Sequence, residues 1–299
     1  MPAKPFRTGM TVPDSAPDGS GFSARLDQME KLGLDSVELP FYSLDLLIGG
    51  KRNALVCKRM TEACRSRPFG FSAHLPLSIN FFTAGAEEHH FDIFRASLDL
   101  AHEAGAINAV IHTGIFRRGY SGLAEDAYAR QRPMLFRAGE EAKARGMVVC
   151  VENLFSWDGL ETALPSKLAG ELAAVGHPNV RATLDVSHAY LCCNQKKADF
   201  LSEIAKLTPH AAHIHMHDSF GKPDDGIYFY SESERIAFGF GDLHLSVGRG
   251  SIPWEGMLKH CAFPAGALFN IELNDRYFDA QAAECVAATK AIAARARSS

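Results

Sequence analysis

The stretch AAHIHMHDS, at residues 211–219, decides the fold and points to the chemistry of the chain. It places His213, His215 and His217 at alternate positions. Successive side chains of a β-strand point to opposite faces, so this spacing predicts a strand with all three imidazoles on one side. One buried histidine is usually a satisfied core residue, but three need hydrogen-bond or metal partners once they leave water. The stretch therefore predicts a strand at a functional site, with metal ligation as the leading interpretation.

Outward from this strand, apolar strand patterns alternate with helical patterns along the chain. Strands are predicted at residues 6–12, 36–40, 69–80, 107–114, 147–153, 179–188, 211–218 and 266–274. Helices are predicted at 21–32, 43–65, 86–104, 122–145, 163–175, 196–207, 253–261 and 279–297, and the one at 43–65 is interrupted by Gly49–Gly50. Such alternation is typical of parallel βα units, and eight strands are the number that closes a barrel.

The fold prediction is therefore α/β, a single (β/α)₈ TIM barrel that spans residues 1–299. An open, doubly wound sheet is the alternative, but no GxGxxG motif follows the first strand. Between the seventh and eighth strands, residues 219–249 form a segment too long to be an idle connection. Such a loop is typical of a lid, so we expect it to cover a site.

Composition excludes several functional classes. The 299 residues are 46% hydrophobic and 22% charged, as in ordinary globular proteins. The net charge of −4 gives no overall basic field that would favour nucleic acid. No apolar run is long enough to span a membrane, and the N-terminal residues lack the apolar core of a signal peptide. The seven cysteines are an odd number without CxxC spacing, which predicts a reduced, cytoplasmic protein.

Acidic and imidazole side chains stand at the ends of the predicted strands. They are Glu38, His74, His112, Glu152, Asp185 followed by His188, His215 with His217, and Glu272. In a (β/α)₈ barrel these positions converge on the C-terminal mouth, where active sites are built. Carboxylates mixed with imidazoles suit Mn²⁺, Mg²⁺, Co²⁺ or Zn²⁺, and crowded carboxylates would repel one another without a cation. The sequence therefore predicts a divalent-metal site at that mouth.

Some of these residues have other interpretations. Asp185 also fits the N-cap of a helix, and Glu38 also fits a loop salt bridge. His74 and His112 could simply form hydrogen bonds across the mouth of the barrel.

Together the motifs resemble the xylose isomerase-like TIM barrels, which include sugar isomerases, sugar epimerases and endonuclease IV. The matching pieces are SVELP, His74, His112, VEN at 151–153, LDVSH at 184–188, HIHMHDS at 213–219, GDLHLSVGRGSIPW at 241–254 and IELN at 271–274. In the sugar branch the resemblance implies a metal quartet of Glu152, Asp185, His215 and Glu272. The family's ligand histidine lies three residues before the Asp of the seventh strand, which selects His215.

The resemblance also implies roles in catalysis. Glu152 and Glu272 would lie on either side of the substrate and exchange protons with adjacent carbons. His188 is similar to a family residue that contacts substrate oxygens. Further residues are expected to bind substrate or an additional metal: His74, His112, His188, His217, Asp242, His244 and Arg249.

The endonuclease IV branch is the rival, because its three zinc ions use nine ligands whose types are all present here. They are His74, His112, Glu152, Asp185, His188, His215, Asp242, His244 and Glu272. Three departures from the nuclease pattern count against DNA. SVELPFY lacks the Arg/Trp-rich loop that the nuclease has after the second strand. Leu77 stands where the nuclease has an aromatic residue that enters DNA. The basic residues near the mouth are sparse and interleaved with acids, whereas a phosphodiester groove needs dense positive charge. These charged residues are Arg117, Arg118, Lys222, Arg235 and Arg249, with Asp224, Asp225, Glu232 and Glu234.

The function we expect is a divalent-metal-dependent isomerase or epimerase of a sugar, a sugar phosphate or a polyol. One alternative is an endonuclease IV-like trinuclear zinc phosphodiesterase that acts on abasic DNA. Another is a keto-sugar dehydratase or lyase with the same residues, and a third is a barrel that binds sugar without turnover. Partners are expected to be a small sugar-derived substrate and, in a homo-oligomer, a second copy of the chain, but no membrane and no nucleic acid.

Overall fold

Eight parallel strands pair into a closed barrel in the computed structural model, which describes residues 6–117, 124–223 and 226–299. They are β1 Arg7–Thr11, β2 Ser36–Pro40, β3 Gly70–His74, β4 Ala106–His112, β5 Val148–Glu152, β6 Val180–Asp185, β7 Ala211–Met216 and β8 Leu268–Ile271. Each strand pairs with its neighbours in chain order, and β1 closes the ring on β8. The predicted (β/α)₈ barrel is therefore confirmed. Arg118, Asp224 and Asp225 lie outside the described residues.

Helices alternate with these strands. They are α1 Phe22–Glu30, α2 Ala54–Cys64, α3 Glu87–Glu103, α4 Ala124–Ala144, α5 Pro165–Val175, α6 Val186–Lys196, α7 Phe200–Leu207, α8 Glu232–Phe238, α9 Trp254–His260 and α10 Phe278–Arg295. None of these helices combines the length and apolar character that a membrane crossing requires. All seven cysteines are buried and unpaired.

The strand β7 shows how the alternation predicted from the sequence is used. Ile214 and Met216 belong to the hydrophobic core of the protein. His213 and His215, at the alternate positions, face the carboxylate of Glu38 across the barrel interior. The same strand therefore supplies both apolar packing and the polar layers of the interior, as a period of two requires.

Several stretches differ from the predicted secondary structure, and the first is at residues 43–65. A short hairpin, Leu47–Ile48 paired with Lys51–Arg52, precedes α2 where a helical region interrupted by Gly49–Gly50 was predicted. Gly49 and Gly50 both have positive φ angles, 55° and 78°. A two-residue hairpin turn with positive φ at both positions favours glycine, so the glycine pair makes a turn and not an interruption of a helix.

The segment after β6 also differs. The predicted strand at 179–188 ends at Asp185, and α6 begins directly after it. The predicted helix at 196–207 begins later, at Phe200, because the Asp199 side chain accepts a hydrogen bond from the backbone N–H of Ser202 and caps α7. Residues 219–249, predicted as a loop, contain the short helix α8.

Strand register brings the strand-end residues side by side. His112 lies opposite Glu152 across β4 and β5, and Asp185 lies opposite His215 across β6 and β7. Parallel strands in a barrel end on the same side, so these residues reach one mouth.

Candidate metal and substrate site

The predicted quartet meets at one ring nitrogen of His215. Its Nδ1 lies 3.3 Å from Glu272 Oε2, 3.4 Å from Glu152 Oε1 and 3.6 Å from Asp185 Oδ2. The four side chains are all buried. Strands β5, β6 and β7 supply three of them, and Glu272 follows directly after β8.

The donor chemistry at this point fits a divalent cation. His215 Nδ1 is buried and makes no hydrogen bond, although it faces three carboxylates. Burial lowers the pKa of His215, but Glu272, Glu152 and Glu38 outweigh it and hold that pKa well above its ordinary value. The site therefore attracts positive charge strongly. A divalent ion would meet oxygen and imidazole ligands of the kind that Mn²⁺, Mg²⁺, Co²⁺ and Zn²⁺ accept.

Asp185 serves two neighbours at once. Its Oδ1 accepts a hydrogen bond of 2.6 Å from the backbone N–H of His188 and caps α6, which is the helix-cap interpretation. Its Oδ2 lies 2.9 Å from His217 Nε2. The backbone on either side is fixed by Asn153, whose amide bonds to both the N–H and the C=O of Asp185 at 2.9 Å. The VEN motif thus holds the end of β6.

Both oxygens of Glu152 have imidazole neighbours. His188 Nδ1 lies 3.0 Å from Oε1, while His74 Nε2 lies 3.0 Å and His112 Nε2 lies 3.7 Å from Oε2. Burial raises the pKa of Glu152, but the neighbouring histidines, His215 first, bring it well below its ordinary value. Burial lowers the pKa of His112 to about 3. The arrangement favours an ionised Glu152 beside a neutral His112.

A second cluster surrounds Asp242, which the long loop supplies. Asp242 Oδ2 lies 2.8 Å from His244 Nε2 and 3.0 Å from His188 Nε2, and its Oδ1 lies 3.6 Å from His217 Nδ1. Burial opposes the ionisation of Asp242, yet these histidines bring its pKa well below its ordinary value. In return, burial lowers the pKa of His244 but Asp242 raises it to about 9. These four side chains could hold a second cation.

The backbone at His244 is held in an uncommon conformation. Its φ is 47°, in the left-handed region that non-glycine residues rarely adopt. The conformation lets His244 Nδ1 bond to the backbone oxygen of Glu272 at 3.1 Å, and its own C=O accept from Asn274 N at 2.9 Å. The ring also stacks on His217, with centroids 4.0 Å apart. Strain at such a position favours a functional role.

Three cavities adjoin the two clusters. The central cavity, about 250 Å³, is lined by Tyr42, His74, Leu77, His112, Glu152, His188, Asp242, His244 and Glu272. One of about 230 Å³ shares His112, His188 and Asp242 with it and adds Phe155, Trp157 and Arg235. Another of about 200 Å³ shares Tyr42, His244 and Glu272 and adds Asp14 and Asp275. The shared walls make one groove across the mouth.

The structure places Arg249 apart from this group. Both oxygens of Glu284 lie 2.9–3.0 Å from Arg249 Nη2, and the arginine side chain is 56% exposed. The guanidinium is therefore engaged by α10 at the surface. The other predicted candidates, His74, His112, His188, His217, Asp242 and His244, lie in or beside the two clusters.

Sequence reasoning missed the role of Asp218, which anchors the long loop to the barrel. Its carboxylate accepts hydrogen bonds from Gly248 N at 2.8 Å and Trp254 Nε1 at 2.9 Å. A Cβ on Gly250 would lie 2.3 Å from Asp218 Oδ1. The HDS and GRGSIPW motifs are therefore two halves of one contact. No local signal in either motif indicated this contact, because the two halves are separated by the long loop.

Glu38 and His213 lie deeper, beneath the quartet. Both are fully buried, and Glu38 contacts His213 and His215, not a charged loop residue. The loop salt bridge considered for Glu38 is therefore wrong.

Comparisons with known proteins agree with this fold. Residues 26–291 match the family model described as xylose isomerase-like TIM barrel. A D-tagatose 3-epimerase-like protein superposes with a TM-score of 0.68 at 18% identity, over 96% of this chain and 95% of that one. The TTHB071 protein of Thermus thermophilus, soaked with ZnCl₂, gives 0.67 at 19% identity over 98% and 100%. A D-psicose 3-epimerase, solved in the presence of D-fructose, gives 0.64 at 16% identity over 96% and 97%.

Proposed function

The chain belongs to the xylose isomerase-like TIM barrel family, and from that premise we propose that it is a divalent-metal-dependent isomerase or epimerase of a sugar or sugar derivative. The ion would be Mn²⁺, Mg²⁺, Co²⁺ or Zn²⁺, held by Glu152, Asp185, His215 and Glu272. Support comes from the sugar epimerases among the structural neighbours and from the zinc-soaked relative. A substrate that is phosphorylated or a polyol is compatible with the same proposal.

One observation carries the proposal. Glu152 and Glu272 face His215 Nδ1 from different strands, at 3.4 Å and 3.3 Å, and both line the same central cavity of about 250 Å³. A pair of carboxylates on two walls of a small cavity can exchange protons with opposite faces of one substrate carbon, or with two adjacent carbons. Small ligands bind in cavities of a few hundred Å³, so the space favours a monosaccharide over a duplex.

In this proposal the residues of the chain have distinct roles. A divalent ion in the quartet would supply electrostatic stabilisation of the negative charge that develops on the substrate oxygens. Glu152 or Glu272 removes a proton from the carbon beside the carbonyl, and the other returns a proton. His188, whose ring reaches both Glu152 and Asp242, lies where it can orient a substrate hydroxyl. Leu77 and Tyr42 line the same cavity.

The test follows the carbon-bound proton. The purified protein, loaded with Mn²⁺, Co²⁺ or Zn²⁺, is incubated with D-fructose, D-tagatose, D-allulose and their phosphates in deuterated water. We expect deuterium to appear by NMR at the carbon beside the carbonyl, together with an isomer or epimer. Glu152→Gln and Glu272→Gln should each abolish the exchange. Glu284→Gln, which alters only the surface pair with Arg249, is the matched control and should keep it.

A dehydratase or lyase with the same residues would show exchange but release a product of different mass. Full exchange in both glutamate variants would contradict the mechanism.

A three-metal phosphodiesterase is the second candidate, and one observation favours it. Three donor groups surround the mouth: His74, His112 and Glu152; Glu152, Asp185 and His215; and His188, His217, Asp242 and His244. Metal counting by mass spectrometry separates the two functions. About three tightly held zinc ions per chain, with cleavage of a duplex that contains an abasic site, would establish the nuclease. One exchangeable ion and no cleavage would support the isomerase.

A further inference from the structure

Beneath the quartet lies a polar layer formed by Glu38 and His213, which have no role in the proposed reaction, and this layer contacts His215 from below. Glu38 Oε2 lies 3.0 Å from His213 Nε2, and Glu38 Oε1 lies 3.3 Å from His215 Nε2. The three residues are fully buried, with 0% exposure each. None of the three lines the central cavity, so the layer does not touch a substrate there.

The carboxylate of Glu38 is fixed by neutral donors from three other strands. Thr11 Oγ1 and Asn270 Nδ2 each donate to Oε1 at 3.0 Å, and Ser72 Oγ donates to Oε2 at 3.2 Å. A buried carboxylate with three donors cannot turn without leaving one of them unpaired, which is costly in a low-dielectric interior. Glu38 is therefore a rigid acceptor that faces β7.

That rigid acceptor lies beside the ring nitrogen of His215 that points away from the quartet. A neutral imidazole has a single N–H, and in the tautomer that carries it on Nε2 the N–H is on the side of Glu38 Oε1, 3.3 Å away. In the neutral imidazole the lone pair then sits on Nδ1. Nδ1 is the atom that faces Glu152, Asp185 and Glu272 at 3.3–3.6 Å. The tautomer with its N–H on Nε2 is the one able to ligate a cation in the quartet.

His213 holds the same carboxylate from the other side. Asn108 Nδ2 lies 3.4 Å from His213 Nδ1 and donates to it, so the proton of a neutral His213 sits on Nε2, toward Glu38. The ring of His213 also packs edge-on against that of His215, with centroids 5.0 Å apart. Both histidines therefore place Nε2 beside the same carboxylate.

We propose that Glu38 is a positioning residue: it fixes the tautomer and ring orientation of His215, with His213 as its second support, so that Nδ1 is preorganised to bind a metal ion. The proposal rests on the proposed function, because it assumes a metal in the quartet. Histidine ligands are commonly oriented by a carboxylate on their other nitrogen, and loss of that partner typically weakens metal binding about 10–100-fold.

The experiment measures Zn²⁺ affinity, not turnover. Protein stripped with a chelator is titrated with Zn²⁺ in competition with a chromophoric chelator. Glu38→Gln is expected to weaken binding about 10–100-fold. In the Zn²⁺-loaded wild type, ¹⁵N-histidine NMR should show the proton of His215 on Nε2, with the resonance assigned by its loss in His215→Gln. In Glu38→Gln that signature should change or disappear.

Two controls separate the possible failures. Glu171→Gln makes the same substitution at a buried glutamate on α5, paired with Arg132 and Lys167, and should keep wild-type affinity. Asp185→Asn removes a proposed ligand and should weaken binding strongly. If Asp185→Asn weakens binding but Glu38→Gln stays within about twofold of wild type, this inference is overturned and the proposed function stands.

If the wild type binds no Zn²⁺, or Asp185→Asn binds as well as wild type, the quartet is not the metal site and both proposals fail. Should Glu38→Gln not fold, Ser72→Ala decides the question, because it removes one donor to Glu38 and leaves the carboxylate in place. Weaker Zn²⁺ binding in Ser72→Ala supports the positioning role, and unchanged binding overturns it.

Discussion

Replacing Asp218 by asparagine tests how the long loop is fixed to the barrel. The buried carboxylate accepts N–H hydrogen bonds at 2.8–3.3 Å, donated by Gly248, Ser219, Ile252 and Trp254. An asparagine keeps one carbonyl oxygen and turns an NH₂ group toward two of these donors, whichever way the amide is placed. Two hydrogen bonds to a charged group contribute about 3–6 kcal/mol, part of which is offset because the carboxylate is no longer desolvated.

We expect Asp218→Asn to lower the free energy of unfolding by about 3 kcal/mol. Urea denaturation followed by far-UV circular dichroism measures this difference. Turnover should fall as well, because Asp242 and His244 lie on the loop that Asp218 anchors. Trp254→Phe removes a single donor from the same carboxylate and should cost about 1–2 kcal/mol.

A loss below about 1 kcal/mol in Asp218→Asn would refute the reasoning. So would a larger loss in Trp254→Phe than in Asp218→Asn, since it would place the stabilisation in indole packing and not in the carboxylate. The metal stoichiometry, measured on the same samples, distinguishes a loop that has detached from the barrel from a barrel that is weakened throughout.

Other predictions concern the loop turn, the metal and one ion pair. Gly250→Ala places a methyl group 2.3 Å from Asp218 Oδ1 and from the backbone oxygen of Ser219, so unfolding should become easier by about 1–3 kcal/mol in thermal denaturation. Removal of metal should lower the melting temperature, and Zn²⁺ restored at about 100 times its Kd should return about 2.7 kcal/mol; an unchanged melting temperature would argue against a resident ion. Burial raises the pKa of Glu171, but Arg132 and Lys167 outweigh it and bring that pKa below its ordinary value. The ion pairs of Glu171 therefore stabilise the folded state above about pH 4–5, and this stabilisation is lost as pH falls through the lowered pKa. In a plot of the free energy of unfolding against pH, Glu171→Gln should lose less stability than wild type between about pH 5 and pH 3. An unchanged acid dependence would contradict this.

The strands could be read from the sequence because their patterns are local. Apolar runs bounded by turns predict strands, and the closed barrel follows from their number. Residues 43–65 show the limit of such reading, because two adjacent glycines fit a helix interruption and a hairpin turn equally well. Only the paired backbone of Leu47–Ile48 and Lys51–Arg52 decides between them.

The side chains of the candidate site also fall into two groups: those whose position the sequence predicts and those whose partners only the structure shows. Glu152, Asp185 and Glu272 follow apolar strands, so their convergence could be expected from the fold alone. The partner of Arg249 could not, since Glu284 lies on α10 and nothing local in GRG indicates it. Likewise, the contact of Asp218 with Trp254 joins residues from separate motifs, and it forms only when the loop closes on the barrel.

By itself, the sequence of residues 211–217 determined that His213, His215 and His217 share one side, because side chains alternate with a period of two. It did not distinguish their roles. The tertiary structure does so by depth along the barrel axis: His213 meets Glu38 and Asn108, His215 meets Glu38 below and the three acids above, and His217 meets Asp185 and Asp242 at the mouth. Those partners come from other strands and from the long loop. Only the strand register and the closure of the barrel place them at these positions along the barrel axis.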